Sequence, residues 1–200
     1  GLTVIDFSAW MAAPLGTAVI ADLGARVIKV EPPNGDEFRT ISTLGRTFQG
    51  KESLVIDLKA SEGRQIISKL LERADALMHN QRGDAATRLG IDYETVRKVT
   101  PKLIYLYAAS YGSSGPGAGR AAFHPTMGAL TGTVWWGLGK GNEPPAADVA
   151  LSLEETARYS ELLLRGNAAG SDQNGALGVA TALAMGLYYR ERTGNGQYLE

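Results

Sequence analysis

The chain has 200 residues, 44% of them hydrophobic and 20% charged, a composition that excludes a disordered polypeptide. Its 20 Lys and Arg against 21 Asp and Glu leave a net charge of −1, so there is no electrostatic ground for nucleic acid or an anionic membrane as partner. With no Cys, and with only His79 and His124 far apart in sequence, the residues exclude disulfides, a thiolate nucleophile and a metal held by Cys or by a His cluster.

Leu2–Phe7 is a short β-branched and apolar run and predicts a strand. A helical pattern follows through Leu23, with Gly24 placed to end it, and Arg26–Glu31 predicts a second strand. This strand–helix–strand order argues for a parallel sheet with helical crossovers. Residues 32–36 read Pro-Pro-Asn-Gly-Asp and must be loop. Ser53–Asp57 is the next expected strand. Ser61 is expected to cap a helix whose apolar stripe is Ile66, Ile67, Leu70, Leu71 and Ala74. Ala76–Met78 predicts a strand, Leu89-Gly90 the end of a small helix, and Asp92 the cap of another that stops near Pro101. Leu103–Ala108 is the clearest strand of all, and the glycine-rich loop Tyr111–Gly119 follows it. Pro125 starts a helix, with Trp135 and Trp136 after it, and Gly137–Ala147 reads as loop. Ser152 and Glu155 fit a capping box for a helix to about Arg165. The last helix starts near Asp172 and is apolar on nearly every side to Tyr189, so burial all round is expected. Gly178, Ala182 and Gly186 recur every four residues along it, a smooth row that another backbone could approach.

The ends suggest a longer polypeptide. Gly1 stands directly before a strand, and Glu200 comes just as Gln197–Leu199 begins another. The longest apolar stretch, Ala176–Tyr189, is interrupted by Gly178, Thr181 and Gly186 and is shorter than the ~20 residues a membrane-spanning helix needs. No leader pattern opens the chain, and the expected location is cytoplasmic.

Among motifs, Gly117–Ala122 reads G-x-G-x-x-A, but Pro116 and a long loop separate it from the strand that a dinucleotide fingerprint must follow. Lys140 lies in Gly-Lys-Gly with no hydroxyl residue after it, so there is no P-loop. Gly112–Gly115 is one residue short of a serine nucleophile elbow. Arg39, Arg82, Arg120 and Lys140 sit in or beside glycine- or proline-bearing loops; singly each reads as a surface charge, and together they would suit a phosphate-bearing ligand. Asp172, at the start of the last helix, reads from pattern alone as an N-cap. The helix dipole would also keep its carboxylate ionised, and an ionised carboxylate can act as a nucleophile.

At this point a resemblance adds to the residues. Residues 1–39, GLTVIDFSAWMAAPLGTAVIADLGARVIKVEPPNGDEFR, resemble the opening of the family III CoA-transferases of the CaiB/BaiF type. The block from Ser53 to Phe123 and the closing segment GALGVATALAMGLYYRERTGNGQ resemble later parts of the same family, in collinear order over the whole chain. The departures are local. His79 stands where the family usually has Glu, and Gly83 where it has Pro; Met11-Ala-Ala13 and the position of Gly175 also differ.

The resemblance implies an α/β fold, a Rossmann-like parallel sheet with flanking helices that lacks the dinucleotide fingerprint and forms part of an interlocked dimer. Residues 1–200 would be the N-terminal part of the large domain, with the small domain and a C-terminal return segment outside this chain. It implies that Asp172 attacks an acyl-CoA and passes through an aspartyl-CoA thioester to a carboxylic acid acceptor. It points to Met11, Ala12, Arg39, Leu77, Met78, His79, Asn80, Ser110, Tyr111, Arg120 and Lys140 as CoA contacts. Coenzyme A or acyl-CoA would be substrate, with no metal and no permanently bound cofactor, in an interlocked homodimer. Two other readings stay open. The family's 2-methylacyl-CoA racemases use a His–Asp proton-shuttle pair and have His followed by Asp after the glycine-rich loop. Here those positions are Phe123 and His124, which favours the transferase. The other is a non-catalytic CoA-binding or assembly half.

Overall fold

The computed structural model describes residues 1–143, 145–166 and 170–200, in two units: residues 1–121 with 175–200, and residues 122–174.

In the first unit six parallel strands pair in the order β3-β2-β1-β4-β5-β6. They are β1 (Thr3–Asp6), β2 (Arg26–Glu31), β3 (Lys51–Val55), β4 (Ala76–His79), β5 (Ile104–Tyr107) and β6 (Gln197–Leu199). Helix α1 (Ala12–Asp22) connects β1 to β2, α2 (Ser61–Leu71) connects β3 to β4, and α3 (Ala85–Leu89) with α4 (Tyr93–Val99) connects β4 to β5, while two 3-10 turns lie between β2 and β3. Successive strand residues point to opposite faces, and both faces of the central strands β1, β4 and β5 are covered, so these strands are mostly apolar rather than alternating, whereas the outer strand β3 is largely exposed. Ile5, Ile28, Leu77 and Tyr105 pack beneath Ile67, Leu71 and Val96 of α2 and α4. Val4, Val27, Met78, Ile104 and Leu106 pack on the other face, against α1 and helix α8 (Ser171–Thr193). The close approach of α1 to α8 depends on Gly16, where a Cβ would lie 2.6 Å from Val179 and 2.7 Å from the Ala176 carbonyl.

The chain lays β2 and β3 on one side of β1, then returns to place β4, β5 and β6 on the other. The carboxyl ends of β1 and β4 therefore flank the point where the winding reverses, which is where open parallel sheets bind ligands.

Most expected elements are present, with some corrections. Gly24 takes φ 96° just past α1, and Gly90 takes φ 72° at the end of α3, as a helix-ending glycine should. Asp92 caps α4 by accepting from the Thr95 N–H at 3.1 Å. The third strand begins at Lys51, two residues before the expected Ser53, because its pairing with Val27–Glu31 sets its limits. Ser61 does not cap α2; it is the first helical residue, Ala60 occupies the cap, and the Ser61 hydroxyl donates to Glu62 instead. The last helix is not buried all round: Val179, Leu183 and Leu187 face the sheet, whereas Leu177, Met185 and Tyr188 are exposed. Its small-residue row splits as well. Residues four apart drift by about 40° on a 3.6-residue helix. Gly186 therefore packs on Ile104 and Leu199, while a Cβ placed on Gly178 would meet nothing within 4 Å.

The second unit holds α5 (His124–Leu130), α6 (Thr133–Leu138), α7 (Leu153–Gly166) and the first turn of α8. Trp135 and Trp136 belong to α6, a helix that the sequence pattern does not reveal, and its last residues take up the start of the expected loop 137–147, of which Pro144 lies outside the described residues. Gly137 and Gly166 lie backbone to backbone: a Cβ on Gly137 would come within 2.4 Å of the Gly166 carbonyl. The expected capping box opens α7, with the Ser152 N–H donating to Glu155 at 2.8 Å and the Glu155 N–H to Ser152 Oγ at 3.2 Å. Among the described residues no helix is long and apolar enough to cross a membrane.

Candidate active site

At the carboxyl ends of β1, β2 and β3 lies a crevice of about 580 Å³. Its walls are Phe7–Trp10 after β1, residues 30–37 after β2, Ile56–Lys59 after β3, and Gln81 after β4. Ser8, Lys29 and Asp36 of this lining belong to a buried ionic network. Asp6 is fully buried and pairs with Lys51 Nζ at 2.8 Å, which also donates to Thr17 and to the Pro14 carbonyl. Burial pushes the Asp6 carboxyl up, but Lys51 and Lys29 outweigh it and hold it below its usual value. Asp6 also accepts from the Ser8 N–H and hydroxyl, and Lys29 bridges the Ser8 carbonyl at 2.6 Å to Asp36 at 2.9 Å. The network thus ties the turn after β1 to the loop after β2. Trp10, at the end of that turn, has φ 70°, a left-handed conformation that costs a bulky residue of order 1–3 kcal/mol and persists only where the surroundings enforce it.

The residues singled out for CoA contact fall in different surroundings. Met11 and Ala12 open α1, whose first turn has no side-chain cap and no acidic residue. Asn80 braces the turn, accepting from the Ala9 N–H at 3.0 Å and donating to the Ala9 carbonyl at 2.9 Å. Arg39 grips Glu31 with two nitrogens, at 3.0 and 2.8 Å, and lies 4.4 Å over the Phe48 ring; its side chain is 43% exposed. Leu77 and Met78 of β4 are buried in the core, and His79, also buried, borders a cavity of about 340 Å³ with Tyr105, Tyr107, Ser113 and Gly119. The His79 Nδ1 accepts from the Gln81 N–H, its Nε2 meets the Tyr105 hydroxyl at 2.8 Å, and its ring stacks on Tyr107. Burial lowers its pKa to about 4, so it is a neutral core imidazole. Ser110 and Arg120, which flank the glycine-rich loop, are exposed, and Tyr111 within it is half-buried. Lys140 is exposed in the second unit. The structure thus sets Asn80 against the turn Phe7–Trp10 that lines the crevice, whereas Leu77, Met78 and His79 are buried and not part of its lining. Sequence reasoning missed Trp10, the Lys29–Asp36 pair and Lys59, the exposed cation on the crevice wall. Lys59, two residues beyond Asp57 in the loop after β3, was the readable signal.

In the second unit Asp172 is not an N-cap: α8 begins at Ser171, so Asp172 sits within the first turn. Its Oδ2 lies 3.0 Å from His124 Nδ1, with the two side chains 23% and 22% exposed. An anion is favoured at a helix N-terminus, and partial exposure leaves this one reachable from solvent.

The sequence matches the profile of CoA-transferase family III over residues 1–200. It is 34% identical to the acetyl-CoA:oxalate CoA-transferase of Acetobacter aceti, over 100% of this chain and 49% of that protein. It is 32% identical to the human alpha-methylacyl-CoA racemase, over 100% of this chain and 46% of that protein. The crystal structure of a hypothetical protein from Mycobacterium tuberculosis superposes with a TM-score of 0.78 at 28% identity, covering 100% of this chain and 52% of the other. The chain thus spans about half the length of the relatives it matches.

Proposed function

The chain belongs to CoA-transferase family III, and we propose that it supplies the nucleophile and a CoA-binding crevice to an enzyme that moves CoA from an acyl-CoA to a carboxylic acid. The observation that carries the reading is the ionisable, partly exposed carboxylate of Asp172 in the first turn of α8, in a chain of this family.

A carboxylate suits the reaction because each step exchanges one acyl–heteroatom bond for another. Asp172 attacks the thioester carbonyl, the C–S bond breaks, and CoA leaves as thiolate from a mixed anhydride. The thiolate attacks the Asp172 carbonyl, which releases the donor acid as carboxylate and leaves an aspartyl-CoA thioester. The acceptor carboxylate attacks that thioester, forming a second anhydride and freeing the thiolate again. The thiolate then attacks the acceptor carbonyl, giving the new acyl-CoA and restoring the Asp172 carboxylate. No net proton is taken up, and CoA is substrate rather than resident cofactor. The crevice at the carboxyl ends of β1, β2 and β3 is the proposed CoA-binding region, with Lys59 and the uncapped first turn of α1 as its cationic elements.

Similarity to a racemase raises the second reading. A two-base racemisation needs its acid and base on opposite faces of one carbon. His124 and Asp172 touch at 3.0 Å, which leaves no room for a carbon between them and favours the nucleophile.

Asp172→Asn tests the proposal. Asn keeps the shape and the helix-start preference but lacks the attacking anion, so turnover should fall by a factor on the order of 10³ or more with the fold intact. A folded Asp172→Asn enzyme with wild-type transferase activity, or epimerisation of a 2-methylacyl-CoA without any acceptor acid, would overturn it.

A further inference from the structure

We propose that His124 is a positioning residue for the Asp172 nucleophile: its Nδ1–H holds Oδ2 and presents Oδ1 as the attacking oxygen. The proposal rests on the reading of Asp172 given above. Two groups compete for the same His124 nitrogen. The Asp172 backbone N–H lies 3.3 Å from Nδ1, and Asp172 Oδ2 lies 3.0 Å from it. The first contact needs a bare Nδ1 and the second a protonated one. A bare Nδ1 would set its lone pair against a carboxylate at the shorter distance, so the proton belongs on Nδ1 and the bond runs to Oδ2.

An aspartate in the first turn of a helix has a competing place to go. Its carboxylate can fold back onto the uncapped backbone N–H groups, where it is stabilised and poorly nucleophilic. A donor from a different element keeps it extended. His124 is well suited to this because its own backbone is fixed. It is the first residue of α5, and the preceding Phe123 is clamped by Thr126, whose hydroxyl accepts from the Phe123 N–H and donates to its carbonyl, both at 2.8 Å. Pro125 then fixes the next φ. The pair is therefore built from two helix starts, each supplying one side chain.

The role differs from proton transfer, and substitution separates the two. The side-chain amide nitrogen of Asn reaches roughly where Nδ1 stands and donates, but it cannot take a proton. Gln has similar bulk and places its amide one atom further out. In the full-length enzyme, assayed with acyl-CoA and an acceptor acid, His124→Asn should keep kcat within about threefold of wild type. His124→Gln and His124→Ala should lose kcat by about 10- to 100-fold, the scale of a misplaced reacting group, with KM for acyl-CoA little changed. The rate of formation of the hydroxylamine-sensitive aspartyl-CoA adduct should follow the same order. Gln preserves volume, so it carries the test should the Ala variant fail to fold. Wild-type kcat in His124→Gln, or His124→Asn as slow as His124→Gln, overturns the positioning role. If Asp172→Asn is inactive while the His124 variants are unaffected, this inference alone fails; if Asp172→Asn is active, the nucleophile reading beneath it fails.

Discussion

Asp6 lies fully buried with its charge intact because Lys51, Thr17 and Ser8 answer it on every side. Removing one partner leaves the other charge stranded, so Lys51→Met should cost about 3–5 kcal/mol in unfolding free energy, and Asp6→Asn with Lys51→Met should recover most of it. An additive double variant would show that the pair is not coupled. Arg39 makes a related point. Resemblance marked it as a CoA contact, but it also neutralises Glu31, whose side chain is 2% exposed. Arg39→Ala should therefore destabilise the fold by ~1–3 kcal/mol as well as weaken CoA binding, and pairing it with Glu31→Gln should restore stability while the CoA affinity, read by calorimetry, stays low. His79 gives a pH dependence. Its folded pKa of about 4 lies below the unfolded value of 6.5, so the unfolded state takes up its proton first. The stabilisation from this group is complete above pH 6.5, erodes as pH falls from there, and is gone below about pH 4. His79→Phe should flatten the melting temperature between pH 7 and 5; an unchanged slope would assign it to other groups. None of these roles was legible in the sequence. A motif can name His79 or Arg39, but it cannot say that β4 is covered on both faces or that Glu31 needs a partner.

Between elements, the tight contacts are made by glycines. Gly16→Ala would press a methyl group against Val179 and the Ala176 carbonyl and should cost about 1–3 kcal/mol. Gly178→Ala meets nothing within 4 Å and should stabilise α8 by up to ~1 kcal/mol through helix propensity. Thermal melts of the two variants should move in opposite directions; equal effects would contradict the packing of α1 on α8. Periodicity showed α2 and α4 well, because each buries one consistent face, and the central strands showed instead as short apolar runs buried on both faces. It failed for α8, where apolar residues occupy both the sheet-facing side and an exposed side that spacing alone does not tell apart. It also missed α6, whose Thr-Val-Trp-Trp-Gly-Leu sequence is too short for a helical period to emerge. Asp172 was legible as the start of a helix but not as a residue inside its first turn.

At the scale of the whole molecule, each unit leaves large apolar side chains in water: Leu177, Met185 and Tyr188 in the first, Leu130, Trp136 and Leu153 in the second. Exposed patches of this kind promote association. The chain also spans about half of each relative it matches. The 200 residues alone should therefore sediment as associated species, whereas the full-length protein should run as a discrete homodimer; a cooperative monomer of the short chain would contradict this. The strand–helix alternation in the sequence pointed to a parallel sheet, and the crevice lies at the carboxyl ends of three of its strands. The division into two units, with the carboxylate in one and the crevice in the other, was not legible, because nothing in local composition marks residues 122–174 as separate.

The proposed reaction requires that CoA pass through a covalent bond to Asp172. The full-length enzyme, given an acyl-CoA without acceptor acid, quenched, digested and analysed by mass spectrometry, tests it directly. CoA should be found attached to the peptide that contains Asp172, and should be released by hydroxylamine and by acceptor acid. An adduct on another carboxylate, or turnover with no covalent species, would contradict it.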